Sequence, residues 1–244
     1  MSRLLPHLLS PQGLPDAGSN IIVIDFAARL PPRLSRDDFV AFLDSLPPHP
    51  SSLLFLAKDG KVEEARRILE DNHSSLEVNW QEEEEGSSAL HYACRCGHDS
   101  FVTILLAHPG IDVNLKDKRG GTPLFGAFYL GATSCIREML GDSRVKINEP
   151  NIDGCTPLWD FVCNGHIDGI RWWIASGREI DLGKPGDKET DVILLATTEE
   201  RTEVATLLKR FKSDANKTRS EVRMELGIDG QSVPLISILS SPTS

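Results

Sequence analysis

Four side chains of the types that bind zinc stand within eight residues: His91, Cys94, Cys96 and His98, in the order His-x-x-Cys-x-Cys-x-His. Tetrahedral binding needs all four to converge. On a helix, residues 91, 94 and 98 share a face while 96 falls nearly opposite 94, so the spacing points to structural roles rather than to a metal. A second cluster, Glu82-Glu83-Glu84-Glu85 ahead of Gly86, gathers four carboxylates at one turn. It is either a solvated loop or a negative prong that draws a basic partner in a salt-dependent way. Gly183-Lys184-Pro185-Gly186-Asp187-Lys188 is rich in glycine and lysine, but it lacks the Gly-Lys-Ser/Thr ending and preceding strand of a phosphate loop. The chain carries no Gly-x-Ser-x-Gly elbow, no dinucleotide fingerprint and no Cys-x-x-Cys pair. Histidines and carboxylates make an active site only through mutual geometry, and nothing in their spacing supplies it. The sequence therefore predicts no catalysis, no cofactor and no metal.

What positions these residues is a repeat. SALHYACRCGH at Ser88–His98 returns as TPLFGAFYLGA at Thr122–Ala132 and as TPLWDFVCNGH at Thr156–His166, each 34 residues on. A weaker copy, TDVILLATTEE, begins at Thr190 after the same interval, and SSLLFLAKDGK begins at Ser51, 37 residues before Ser88. A period of this length means stacked helical units. Thr156 offers a hydroxyl to the free amides of a helix start and Pro157 follows where its missing N–H costs nothing; Thr122-Pro123 repeats the device. Leu90, Ala93 and Cys94, and then Leu158, Phe161 and Val162, line the apolar face of each first helix. Gly97 and Gly165 end it in a left-handed turn. Second helices carry Phe101, Val102, Leu105 and Leu106, and Ile170, Trp173 and Ile174. Short extended stretches, Asp112-Val113-Asn114 and Val145-Lys146-Ile147-Asn148, lead through Arg119-Gly120 and Asp153-Gly154 into the next unit as hairpin tips.

The Thr-Pro-Leu, Leu-His-Tyr-Ala, Asn-Gly-His and preceding Asp-Gly residues resemble those of the ankyrin-repeat family, over about residues 50 to 210. The resemblance implies an all-α solenoid of helix-turn-helix repeats with hairpin loops, about five repeats plus capping helices at both ends. It also gives His91 the place of the imidazole that ties neighbouring turns together. The expected organisation is a mobile leader (1–20), a strap and capping helix (21–50), a divergent repeat 1 (51–87), repeats 2 (88–121), 3 (122–155) and 4 (156–189), a degenerate fifth repeat acting as a cap (190–215), and a C-terminal helix and tail (216–244). Such arrays bind proteins through a concave face and their hairpin tips. Glu83, Glu84, Lys118, Arg119, Phe125, Ile152, Asp153 and Trp159 are the expected partner contacts, with Trp159 as the inner-face anchor. Trp173 is expected to be buried and Trp172 partly exposed.

Composition bounds the alternatives. The 244 residues are 40% hydrophobic and 25% charged, which suffices for a core shared between neighbouring units. A formal net charge of −10 argues against nucleic acid as the main ligand, since phosphate binding requires a basic footprint. Five cysteines, an odd number, read as reduced thiols in a cytoplasmic or nuclear protein. No apolar run reaches the roughly 18 residues of a membrane span, and Pro6 and Pro11 break the Leu-rich start, which argues against a secretory signal. A monomer is expected, with a protein partner whose identity the sequence does not give.

The ends differ from the middle. Residues 1 to 20 are rich in Pro, Gly and Ser. Ile21-Ile22-Val23-Ile24 is either an extended strap over the first repeat or part of a preceding element. Ser35 to Leu46 reads as a helix with Phe39, Phe42, Leu43 and Leu46 on one face, ended by Pro47-Pro48-His49-Pro50. It is either a lid on the open end of the array or, with Leu30-Pro31-Pro32, something that resembles the start of an F-box; residues 30–46 would then dock a ubiquitin ligase and the array would select its substrate. Lys209, Arg210, Lys212, Lys217, Arg219 and Arg223 surround a helix expected from Thr218 to Leu226. Asp229-Gly230 reads as the beginning of a further unit, so a truncated member of a repeat family is a third possibility.

Overall fold

Each unit of the chain begins where a cap stops one chain direction and ends where a glycine starts the next. The structure, a computed structural model, describes residues 50–71, 77–182 and 191–228. These residues form eleven helices: α1 Pro50–Asp59, α2 Val62–Asp71, α3 Ala89–Cys96, α4 Asp99–Leu106, α5 Pro123–Leu130, α6 Thr133–Gly141, α7 Pro157–Asn164, α8 Ile167–Ser176, α9 Val192–Thr198, α10 Thr202–Ser213 and α11 Ala215–Glu225. The leader, strap and helix expected before residue 50, the finger at 183–188 and the tail after 228 lie outside the described residues.

Helices pair and the pairs stack, as the all-α repeat reading requires. First helices α1, α3, α5, α7 and α9 pack in succession as one layer, and second helices α2, α4, α6, α8 and α10 as another. Leu53, Leu90, Leu124, Leu158 and Val192 take equivalent places in the first layer, and all are at most 1% exposed. Ala65, Val102, Ile136, Ile170 and Val204 do the same in the second. Removing these faces from water is the main stabilising contribution, and no single unit could achieve it without its neighbours. Between α5, α7 and α8 the core turns aromatic. Phe128 stacks on Trp173 with centroids 5.2 Å apart and planes 3° from parallel, and meets Phe161 at 4.6 Å. Trp173 is fully buried and Trp172 partly exposed, as expected.

The turn glycines are needed twice over. Gly97, Gly131 and Gly165 close α3, α5 and α7 with φ of 76°, 69° and 75°. At Gly131 and Gly165 a side chain of the next unit also fills the space a Cβ would occupy, the ring of His166 in one case and the guanidinium of Arg201 in the other. The fifth unit lacks the glycine: Glu199 at its place has φ −84°, and the left-handed residue comes one position later. Glu200 adopts φ 57°, the one non-glycine residue with positive φ among the described residues. Two expectations need correcting. Thr122 does not cap as Thr156 does: Thr156 Oγ1 accepts from Trp159 N at 3.4 Å, whereas Thr122 Oγ1 is buried without a partner. The stretches at 112–114 and 145–148 form turns instead of strands, and one isolated bridge, Gln81 to Ser88, is the only ladder contact among the described residues.

Two sets of polar side chains join successive units. Asn79, Asn114 and Asn148 each donate an amide hydrogen to the next loop (Gly110 O, Arg144 O, Glu179 O) and accept one from it (Asp112 N, Lys146 N, Asp181 N), at 2.7 to 3.2 Å. Arginines meanwhile cap the second helices of the preceding unit, where unpaired carbonyls and the helix dipole favour a cation. Arg144 donates to Leu106 O at 2.6 Å, Arg178 to Asp142 O at 2.9 Å and Val145 O at 2.5 Å, and Arg219 to Ile174 O at 3.2 Å. Arg219 belongs to α11, which packs on α8 and α10 and starts at Ala215, three residues earlier than the sequence suggested. Asp214 explains the earlier start, since its carboxylate accepts from Lys217 N at 2.9 Å.

Candidate functional site

The zinc-like quartet is dispersed by the repeat. His91 is 3% exposed, and both of its ring nitrogens are engaged: Nδ1 accepts from Ser88 N at 3.1 Å, and Nε2 lies 3.2 Å from Gly121 O in the following loop. Burial pushes its pKa below the usual histidine range, against the opposing effect of the Gly121 carbonyl, so the ring is neutral. His98 reaches back to Lys58 O at 3.2 Å, Cys94 is fully buried and Cys96 is exposed. Among the described residues no three His, Cys, Asp or Glu side chains gather as metal ligands.

The tips are built alike, from one side chain that folds inward. Glu82 accepts the amides of Glu84, Glu85 and Ser87 at 2.6 to 3.0 Å, Asp117 accepts those of Arg119 and Gly121, and Asn151 those of Asp153 and Cys155. Burial pushes Glu82 upward, but these amides more than offset it and hold its carboxyl below the ordinary range. Neighbouring tips are also pinned to each other. Lys118 N donates to Glu85 O at 2.8 Å and Ile152 N to Arg119 O at 3.0 Å. Lys118 Nζ donates to Glu83 O, while Lys116 Nζ reaches the other way to Glu149 at 2.9 Å and Pro150 O at 3.1 Å. The middle tip thus holds both neighbours.

This inward chemistry changes the acidic prong. Of its four carboxylates Glu82 is consumed by amides and Glu85 by Arg95 at 2.6 Å, which leaves Glu83 and Glu84 exposed. Arg119, Ile152 and Asp153 are exposed on the neighbouring tips, Ile152 at 71%, and Lys118 is exposed beside Glu83. Phe125 is half-buried on α5. Trp159 departs from the expected open anchor: at 7% exposure it is buried. Its place in the repeat is that of His91, which is also buried, and of Phe125, which is half-buried.

The open surface of the first-helix layer is formed by other positions. One row consists of Phe55, Tyr92, Gly126, Asp160 and Leu194, equivalent across the five units, and a second lies one helical turn on, at Lys58, Arg95, Tyr129, Cys163 and Thr197. Phe55, Tyr129 and Leu194 are 42%, 65% and 50% exposed. The rows interlock between units: Lys58 Nζ lies over the Tyr92 ring, 4.2 Å from its centroid, and Arg95 covers the other approach at 5.1 Å. Gly126 lets α5 close on α3, since a Cβ there would meet His91 O and Arg95 N at 3.2 Å. Asp160 is half-buried. Burial pushes its carboxyl above the usual range, with the charge of Arg119 acting in the opposite direction. These rows occupy the variable positions between the motif residues, so no motif letter marks them in the sequence.

Comparison with known proteins agrees with this architecture. Residues 40–117 match the family model described as "Ankyrin repeats (3 copies)". The chain is 30% identical over 150 residues to SMC5-SMC6 complex localization factor protein 1 of Bos taurus and of Homo sapiens, a match covering 59% of this chain and 14% of each relative. It is also 33% identical over 123 residues to the probable E3 ubiquitin-protein ligase XBOS32 of Oryza sativa subsp. japonica, covering 50% of this chain and 24% of that protein. The matched stretch is thus a small fraction of each relative's length.

Proposed function

We propose that this chain, which belongs to the ankyrin-repeat family, is a non-enzymatic interaction module that holds a protein partner on the open surface of its first helices and on its loop tips. The observation that carries the reading is the contrast between the two parts of the array. The tips are fixed by inward-turned Glu82, Asp117 and Asn151 and by lysines bridging tip to tip, yet they present Glu83, Glu84, Lys118, Arg119, Ile152 and Asp153 outward. Contacts held this rigidly lose little conformational freedom when a partner docks. Phe125 adds half-buried apolar surface beside them, while Trp159 contributes to the fold beneath the site. The test is binding by the full chain with Glu83→Lys/Glu84→Lys and with Ile152→Asp. A partner isolated on the wild type should be lost by both at unchanged melting temperature; equal capture by all three proteins would remove the proposed face.

The names of the relatives support two finer readings. The likeness to the SMC5-SMC6 complex localization factor favours a nuclear setting and makes that complex a first candidate partner. The likeness to plant E3 ubiquitin-protein ligases favours the alternative of a substrate-selecting adaptor, with residues 30–46 as the ligase-docking segment. Co-purification with ligase subunits that is lost on deleting residues 30–46 alone would select the second, and its persistence would exclude it.

A further inference from the structure

The row of variable positions carries one group the fold does not use. On the first helices and tips, the half-buried carboxylates have partners: Glu82 and Asp117 accept loop amides, Glu149 holds Lys116 at 2.9 Å, and Asp191 accepts from Leu194 N at 2.7 Å. Asp160 is half-buried as well, yet among the described residues its carboxylate takes no hydrogen bond and no ion pair. The charge of Arg119 acts on it without forming an ion pair. An ionised group drawn partly out of water and left unpaired weakens a fold, so its presence on an open surface is a mark of binding.

Its surroundings indicate what would pair with it. Between units 1 and 2, a residue of the second row lies on a residue of the first: Lys58 covers Tyr92 at 4.2 Å. Between units 2 and 3 the equivalent pair is Arg95 and Gly126, where the Arg95 backbone N and Cβ lie close to the glycine. Between units 3 and 4 the equivalent positions are held by Tyr129, 65% exposed, and half-buried Asp160. At the first junction an ammonium group and an aromatic ring are both supplied by this chain. At the third there are a ring and a carboxylate, with the cation missing.

Resting on the reading of this surface as a partner-binding face, we propose that Tyr129 and Asp160 form a socket for a lysine or arginine side chain from an extended segment of the partner. The carboxylate supplies charge and the phenol ring supplies a face on which the aliphatic stem and cation lie. Exposed Asp153 on the adjoining tip, exposed Glu83 and Glu84 on a tip further along the array, and the net charge of −10 add long-range attraction for a basic segment. Arg119 tunes the socket by competing for Asp160.

The test uses the full-length chain and an array of nonapeptides in which a central Lys, Arg, acetyl-lysine, Leu or Glu is flanked by varied neutral residues, followed by fluorescence anisotropy on the best binder. Lys or Arg peptides should bind, their ratio showing which cation is preferred. Acetylating the lysine and substituting Asp160→Asn should each lower affinity about tenfold, and the two together should cost no more than either alone, as expected when both remove one charged contact. Tyr129→Ala should lower it about threefold to tenfold. Asp160→Asn should melt no lower than wild type, which separates lost binding from lost folding, and Arg119→Ala should keep or raise affinity. The socket is overturned if acetyl-lysine binds as well as lysine, if Asp160→Asn is indistinguishable from wild type, if Arg119→Ala costs tenfold, or if the array yields no cation-dependent binder. Cation-independent binders that are lost on Ile152→Asp would leave the interaction reading intact while removing the socket; failure of every peptide together with failure of protein capture would remove both.

Discussion

Replacing Arg178 tests whether the units are held together by polar caps as well as by buried leucines. Its guanidinium is half-buried and donates to Asp142 O at 2.9 Å and Val145 O at 2.5 Å, with a marginal third contact to Leu140 O at 3.5 Å. Burial lowers its pKa and nearby Asp142 opposes the change; an arginine remains charged at neutral pH either way. Two charged hydrogen bonds in a dry site would contribute about 3–6 kcal/mol; water reaches this one, so roughly half is expected to survive, about 2 kcal/mol. Interaction with the carbonyl end of α6 adds a few tenths of a kcal/mol within that figure. Arg178→Met keeps most of the aliphatic stem and removes the donors, so the loss reads hydrogen bonding rather than packing. Urea titration followed by far-ultraviolet circular dichroism should show a lower midpoint with an unchanged slope, and Arg178→Lys should recover part of the difference. A midpoint for Arg178→Met within about 0.5 kcal/mol of wild type would refute the reasoning, leaving the carbonyls equally well satisfied by water.

Three further outcomes follow from close contacts and from titration. Gly169→Ala should destabilise by about 1–3 kcal/mol in thermal melts although alanine is the better helix former, because the new Cβ would sit 2.4 Å from Phe161 Cζ and 2.8 Å from Ile136 Cδ1. Glu200→Gly should stabilise by about 0.5–1 kcal/mol in the same assay, since glutamate at φ 57° bears a strain that glycine does not. His91 is neutral in the fold and ionises more readily once unfolded, so the folded state binds fewer protons below about pH 6.5 and its stability should fall as pH drops from there through the depressed folded value. Urea midpoints across that window should flatten in a His91→Phe variant, which copies Phe125 at the same place in the next unit and is less stable at neutral pH by about 1–3 kcal/mol.

The stack itself was legible in the sequence because its causes are local and repeated. Thr156-Pro157 starts a helix by itself, Gly97 and Gly165 end one by themselves, and Leu90, Leu124 and Leu158 recur at 34 residues whatever surrounds them. The polar joints were less visible, though their signal is present: Asn79, Asn114 and Asn148, and Arg144 and Arg178, keep nearly the same spacing. An amide or guanidinium has no apolar face to align, so its target in the next unit appears only once the loops are in place. The burial of Trp159 was not legible for a different reason. A large aromatic in a first helix reads equally well as core or as surface, and its place in the repeat does not decide the matter, since His91 is 3% exposed there and Phe125 half-buried.

A repeat array has to separate two demands that act on the same short helix. Positions that recur, such as those of Leu158 and His91, join one layer to the next, and a change there propagates to both neighbours. Positions that vary, such as those of Tyr92, Gly126 and Asp160, lie on the more open side of the first helices, so one residue can change while the stack is kept. Where the variable residue completes a contact, as Tyr92 does beneath Lys58, the surface is closed within the chain. Where it leaves one incomplete, as we propose for Asp160, the array loses a little stability and gains a place for another molecule. Binding in such a scaffold is best sought where equivalent positions fail to pair, not where the motif is best kept.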